Sequence, residues 1–192
     1  MSQAERDKWD ARYAAGAYAD REHPTRLLVD WAPKLTAGSA LDVACGAGRN
    51  AIFLAQCGFA TDAVDISQIA LERARATADE KQLSINWIEA DLDLGAAALP
   101  SRLYDVVLLV RYVDMDLYPL LINLLAPGGL LISEQHLATD EEVIGPKSPE
   151  FRLRAGALRD STVLLEPLYF REGLVVDPDG RRAALAQIVA RR

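Results

Sequence analysis

Leu41-Asp42-Val43-Ala44-Cys45-Gly46-Ala47-Gly48-Arg49-Asn50 is a short aliphatic run that passes through a glycine turn into a helical pattern. Ala40 to Val43 reads as a strand. Arg49 to Cys57 reads as a helix, with Ile52 and Phe53 on its buried side and a stop near Gly58. Glycines at 46 and 48 let the backbone take positive φ and approach a ligand with no Cβ in the way. Gly46, Gly48 and Ala51 also satisfy the looser dinucleotide fingerprint, and Asp65 lies near the distance where that motif places its ribose-binding acid. Two ligand chemistries therefore compete for this loop.

Working outward, short apolar runs alternate with helical segments, the pattern of an α/β sandwich on a mainly parallel sheet. Ala60 to Val64 is a second strand ending at Asp65. Ser67 is a good N-cap for a helix to about Lys81, with Ala70, Ala74 and Ala78 spaced by four. Ile85 to Ala90 is a third strand ending at Asp91. Tyr104 to Val110 is nearly unbroken and β-rich, as expected of a central strand covered on both faces. Leu117, Leu120, Leu121, Leu124 and Leu125 repeat at helical spacing, and Pro119 is tolerable only in the first turn, with Asp114 or Asp116 as cap.

Pro127-Gly128-Gly129 should break the chain before a fifth strand over 130–133, followed by a polar loop over 136–149. A short helix within 151–160, a sixth strand over 162–170 and a seventh over 183–189 complete the reading. Asp177-Pro178-Asp179-Gly180 is a tight turn, so the last two strands must run antiparallel. Residues 1–37 read as two helices, with Pro24 near the start of the second. No internal repeat, low-complexity tract or linker divides the chain, and one domain is expected: a helical cap over 1–37 on a core over 38–192.

Asp42 separates the two ligand chemistries. A dinucleotide lays its pyrophosphate over the glycine turn and the helix N-terminus, and a carboxylate ending the preceding strand would repel it. The same carboxylate suits a ligand that is cationic there, such as the ammonium and sulfonium of S-adenosylmethionine. Asp65 offers two acceptor oxygens to a pair of ribose hydroxyls. The Asp91 carboxylate, or the Leu92 amide beside it, could reach an adenine edge. All three acids end parallel strands, where open α/β sheets bind ligands.

The remaining composition narrows the partners. The 192 residues (21.0 kDa) are 51% hydrophobic and 26% charged, with 28 acidic and 21 basic side chains and a net charge of −7. That balance is poor for a nucleic-acid binder, which needs a basic excess. Met1 to Lys8 lacks the apolar core of a signal peptide, and Leu117 to Ile132 is too short and too broken to span a membrane. A cytoplasmic protein with no membrane partner is expected, as a monomer or homodimer. Cys45 and Cys57 form no disulfide framework, and with His23 and His136 they show no metal-ligand spacing. Cys45, in the turn, reads as a small buried residue rather than a nucleophile. His136 reads as an ordinary side chain before it reads as a general base.

The chain resembles the class I S-adenosylmethionine-dependent methyltransferases, and more narrowly the small tellurite-resistance type. The carriers are residues 41–50 quoted above, Val64-Asp65-Ile66-Ser67, Glu89-Ala90-Asp91-Leu92, Tyr104-Asp105-Val106-Val107 and Leu125 to Ile132. The narrower match rests on Trp9-Asp10-Ala11-Arg12-Tyr13 and on Phe151 to Leu158. The resemblance implies a seven-stranded sheet ending in an antiparallel hairpin, with S-adenosylmethionine as cofactor. It implies that Asp42, Gly46 and Gly48 hold the methionine portion, Asp65 the ribose, and Asp91 with Leu92 the adenine. Ala44, Asn50 and Ile66 are counted as further cofactor positions within these motifs. Ala44 departs from the family's glycine, which is harmless if its φ is negative. Arg111 is expected to border cofactor and substrate as the catalytic residue, and Trp9 and Tyr13 to lie on a helix closing over the site.

The function expected is methyl transfer to a small acceptor. A thiol or a chalcogen oxyanion such as selenite or tellurite needs no general base, and Arg111 could hold it as an anion. A structural ion pair of Arg111 with Asp114 or Asp105 is the plain alternative. A NAD-dependent oxidoreductase and a non-catalytic S-adenosylmethionine-binding protein are the alternatives for the whole chain.

Overall fold

The computed structural model describes residues 3–192; Met1 and Ser2, the start of the expected cap, lie outside the described residues. Strands β1 (Ser39–Val43), β2 (Ala60–Asp65), β3 (Ile85–Glu89), β4 (Tyr104–Val110), β5 (Leu125–His136), β6 (Glu166–Val176) and β7 (Arg182–Arg191) form one sheet in the order β3-β2-β1-β4-β5-β7-β6. The first five pair in parallel, and β7 inserts antiparallel between β5 and β6. This is the α/β architecture expected, including the terminal hairpin. It also departs from the dinucleotide order, in which a sixth strand follows the fifth directly.

Helices α1 (Gln3–Ala14), α2 (Arg26–Trp31), α3 (Arg49–Gln56), α4 (Gln68–Glu80), α5 (Leu117–Asn123) and α6 (Ala157–Asp160) cover the sheet. Central strand β4 shows why both faces must be covered. Val107 and Leu109 pack into the core beneath α5, together with Leu41, Val43 and Leu121. Val106, Leu108 and Val110 face the other layer, with Leu27 and Leu28 of α2 and Leu54 of α3. A strand with both faces apolar cannot lie at an edge without exposing a row of aliphatic side chains. The Ser67 hydroxyl caps α4 by accepting the Ala70 amide at 3.1 Å, as its position predicts. Pro119 is the third residue of α5, and Asp114, not Asp116, accepts a local amide there, that of Asp116.

Three expectations shift. The Pro127-Gly128-Gly129 segment does not end pairing: β5 starts at Leu125 opposite Tyr104 and crosses it with a register shift. A bulge absorbs the extra residues without ending the strand. β5 also runs on to His136, which is therefore a buried strand residue and not the start of a polar loop. The sixth strand begins at Glu166, four residues after Thr162. The Thr162 hydroxyl instead bonds back to the Leu158 carbonyl at 3.1 Å, so this β-branched residue closes the turn after α6. Pairing with β7 then carries β6 through Arg171, Glu172 and Gly173 to Val176.

Candidate active site

The carboxyl ends of β1, β2, β4 and β5 and the segment after β3 converge on one side of the sheet. Asp42 is 1% exposed, and its Oδ2 has no hydrogen-bond partner. Burial pushes its carboxyl up to about 7, against the opposing pull of the Arg49 guanidinium and the Ala51 amide. A buried carboxylate oxygen without a donor carries a full desolvation penalty, so it marks a position built for a donor from outside the chain.

Asp65 is differently placed. Its Oδ2 accepts the Gly46 amide at 2.7 Å and its Oδ1 accepts the Ser67 amide at 2.9 Å, which ties the glycine turn to the start of α4. Burial raises its carboxyl while these amides pull it down. Asp91 accepts the Asp93 amide at 3.0 Å as the cap of a short 3-10 helix. Leu92 is buried in the core, and Ile66 is buried beside the turn, so each offers a ligand its backbone rather than its side chain.

The turn explains its own glycines. A Cβ on Gly46 would lie 2.5 Å from the Tyr13 hydroxyl, so that glycine admits the tyrosine against the backbone. Gly48, at φ +78°, would place a Cβ 2.7 Å from the Trp87 ring and 2.8 Å from the Ala74 side chain. It thereby allows close packing of the turn against α4 and β3. Ala44 has φ +54°, contrary to the negative value that would make it harmless. An L-residue there costs roughly 1–2 kcal/mol. Ala44→Gly is expected to raise stability by about 1 kcal/mol, seen as a rise of roughly 2–4 °C in Tm. An unchanged or lower Tm would contradict the strain.

Helix α1 lies over this turn. Asp10 accepts the Ser67 hydroxyl at 2.6 Å and the Ile69 amide at 3.3 Å, and Arg73 donates to the Tyr13 and Ala17 carbonyls. Tyr13 is buried, its hydroxyl held protonated by burial and by Asp65. Trp9 lies one turn away, its ring centroid 6.2 Å from that of Tyr13. Both residues thus sit where the closing helix was expected.

Asn50 and Arg111 do other work than expected. Asn50 Oδ1 accepts the Thr25 amide at 2.9 Å, anchoring the segment before α2. Arg111, with its side chain 8% exposed, donates Nε to Glu134 at 3.0 Å and both terminal nitrogens to Asp177 at 2.7 and 2.5 Å. Glu134 also accepts the Thr25 hydroxyl at 2.8 Å and the Gln187 amide at 2.7 Å. Neither Asp114 nor Asp105 is the partner; Asp105 bonds Ser39 instead. With three of its donors on two carboxylates, Arg111 braces the β6–β7 turn and the residue-25 segment to the sheet, a structural role that its sequence position did not announce.

Arg49, missed among the candidates, faces the same region from the first turn of α3. Its signal was present in the quoted run: a basic residue immediately after a ligand-approaching turn. His136 is buried, and burial with Arg111 and Arg152 nearby pushes its imidazole down to about 3, so it is neutral at pH 7. Its Nδ1 has no partner, and Gly145 packs against that ring edge. Cys45 is buried, with its thiol raised well above the ordinary range by burial, so it is no nucleophile.

Residues 40–129 match the methyltransferase domain family model. Over residues 40–129, just under half of its length, the chain is similar to methyltransferase domains. The ubiquinone biosynthesis O-methyltransferase of Rickettsia canadensis is 32% identical over 97 residues, covering 48% of this chain and 40% of that protein. The chain thus matches two-fifths of the length of that relative. TehB from Haemophilus influenzae superposes with a TM-score of 0.73 at 21% identity, covering 86% of this chain and 61% of that one. A structure described by the conversion of a disulfide bond into a thioacetal group during echinomycin biosynthesis also gives 0.73, at 22% identity, over 97% and 92% of the two chains. These two likenesses establish the fold. The strand order, with β7 antiparallel between β5 and β6, differs from that of the dinucleotide alternative. No helix among the described residues is long and apolar enough to cross a membrane.

Proposed function

We infer that the chain transfers a methyl group from S-adenosylmethionine to a small acceptor, with a thiol or a chalcogen oxyanion such as selenite or tellurite first in line. The observation that carries this reading is the unpartnered, buried Oδ2 of Asp42 beside the glycine turn. A ligand with an ammonium group satisfies that oxygen and relieves the cost of its burial; a pyrophosphate does neither. Asp65 and Asp91 then take the ribose and the adenine edge, and Tyr13 and Trp9 close over the turn. In this reading the chain is one domain, with 1–37 as a cap on 38–192, acting in the cytoplasm as a monomer or homodimer.

The residues present fit such a donor without supplying a reactive nucleophile of their own. When bound, S-adenosylmethionine supplies an electrophilic methyl group on a sulfonium that leaves without help. The protein's contribution is placement: a rigid turn held by Asp65, a carboxylate at the cationic end, and α1 excluding water above it. His136 is not poised as a general base for a protic acceptor: it is too weak a base and its unpartnered nitrogen faces Gly145. Acceptors that are already anionic need no such base and are placed first.

Thermal unfolding with S-adenosylhomocysteine and, separately, with NAD tests the reading. At ligand about 100-fold above Kd, binding adds roughly 2.7 kcal/mol, a rise of about 5–11 °C for a domain of this size. A rise with the adenosyl compound alone is expected, followed by turnover with thiols, selenite and tellurite. A rise with NAD alone would overturn the cofactor assignment; binding without turnover on any acceptor would favour a non-catalytic protein.

A further inference from the structure

Beyond the glycine turn, a second, narrow cleft open to solvent runs between the N-terminal segment before α2 and the β6–β7 turn. Its walls include Arg21, Arg49, Arg111, Asp177 and Asp179. The two sides are far apart in sequence and are bridged by Arg181, which reaches Asp20 at 3.3 Å and Asp179 at 2.5 Å. The carboxylates of this cleft are thus engaged: Asp177 by Arg111, and Asp179 and Asp20 by Arg181.

Arg49 and Arg21 are not. Among the described residues, neither guanidinium has a carboxylate within ion-pairing distance. Among the described residues, the one hydrogen bond made by the Arg49 side chain is from Nη1 to the His23 carbonyl at 2.9 Å. The Arg21 guanidinium lies 5.1 Å from the centre of the Tyr18 ring and makes no side-chain hydrogen bond among the described residues. Arg49 also sits at the first position of α3, where the helix dipole disfavours a cation. Burial and the charges of Arg111 and Arg21 press its pKa down, outweighing Glu134 and Asp177. Two cations held close together against burial and a helix N-terminus, with four of their five donors unmatched on Arg49, describe a place for an anion. The cleft begins where the glycine turn ends, because Arg49 follows Gly48 directly.

We propose that this cleft is the acceptor subsite, and that Arg49 with Arg21 binds an anionic oxygen group of the acceptor, a carboxylate on an organic thiol or an inorganic oxyanion itself. The proposal rests on the methyltransferase reading for its meaning, though not for its geometry. It replaces Arg111 as the specificity residue: Arg111 sets the shape of the cleft, and Arg49 meets the ligand.

The test is calorimetric titration of the full chain, with and without saturating S-adenosylhomocysteine, using 3-mercaptopropionate, the neutral 2-mercaptoethanol and sodium selenate as probes. The wild type is expected to bind 3-mercaptopropionate at least tenfold more tightly than 2-mercaptoethanol. R49Q and R21Q are each expected to erase that difference, with R21Q keeping the wild-type affinity for S-adenosylhomocysteine. Selenate binding that R49Q abolishes would assign the subsite to inorganic oxyanions, and binding of the carboxylate alone to organic acceptors; both support the proposal. Equal affinity for the charged and neutral thiols with no selenate binding would overturn it, as would anion binding unchanged in both variants. Loss of anion binding in R49Q, in a protein that never binds S-adenosylhomocysteine, would uphold the subsite and overturn the methyltransferase reading.

Discussion

Replacing Arg111 by alanine should destabilise the protein by about 3–5 kcal/mol, a fall of roughly 6–20 °C in Tm, before any effect on chemistry is considered. The reason is Glu134, whose side chain is 2% exposed and whose Oε1 has the Arg111 guanidinium as its charged partner. Removing the arginine leaves that carboxylate in the interior with only the Thr25 hydroxyl and the Gln187 amide. The same change releases Asp177 and with it the β6–β7 turn, and it leaves an alanine at φ +58°. R111K keeps the charge but cannot span both carboxylates with a planar fork, so it should recover only part of the loss. R111A/E134Q should recover more than either single change implies, because the buried charge goes with its partner. Urea unfolding followed by tryptophan fluorescence measures all three. If R111A were as stable as the wild type and only its acceptor KM rose, Arg111 would be the acceptor ligand after all.

That result bears on what a sequence can disclose. The strand–turn–helix at 41–50, the acids at 42, 65 and 91 and the terminal hairpin were legible because each follows from local chemistry: a glycine where the backbone must bend, a carboxylate where a strand ends, a tight turn between two strands. Arg111 was legible as a cleft residue for the same reason, since it follows a buried strand. Its partners were not legible. Glu134 meets Arg111 because β5 pairs with β4, opposite Val110, and Asp177, in a turn 66 residues away, meets it because β7 lies next to β5. The neighbouring acids 105 and 114 looked closer along the chain and lie elsewhere in space.

Asn50 shows the same limit. Its place in the motif suggested a ligand contact, and tertiary structure gave its oxygen to the Thr25 amide. Ala44 shows a different one. Its sign of φ depends on how the turn is held, and the Gly46 amide is fixed by Asp65 on the next strand, which no local pattern reports. The polar β5 residues Ser133, Glu134, Gln135 and His136 read as a strand end and loop because they are polar. The first three stay in the sheet because the interior supplies partners: Tyr118 and the Leu109 carbonyl for Ser133 and Gln135, Thr25 and Arg111 for Glu134.

The affinity for S-adenosylhomocysteine should rise about tenfold between pH 6 and pH 8, and Asp42 should be the cause. Its carboxyl, normally near 3.8, is lifted to about 7 by burial. The folded protein without ligand therefore holds a proton there that the unfolded chain has already lost. Stability of the unliganded protein accordingly falls as pH rises from about 4 to about 7, by roughly 4 kcal/mol in all, and stays low above that. An ammonium group brought against Oδ2 reverses the balance, because it favours the ionised form. Binding then expels the proton below pH 7, and affinity weakens tenfold for each unit of acidification there. D42N removes both effects at once. The variant should lose the stability slope between pH 4 and pH 7, be more stable than the wild type at pH 8 without ligand, and bind S-adenosylhomocysteine about 100-fold more weakly, the loss of a charge-assisted hydrogen bond. Calorimetric titration at pH 6, 7 and 8, with urea unfolding at the same values, separates the two consequences. A wild type whose affinity does not change with pH, or a D42N that binds as tightly, would mean that the orphaned oxygen of Asp42 answers to something other than the methyl donor.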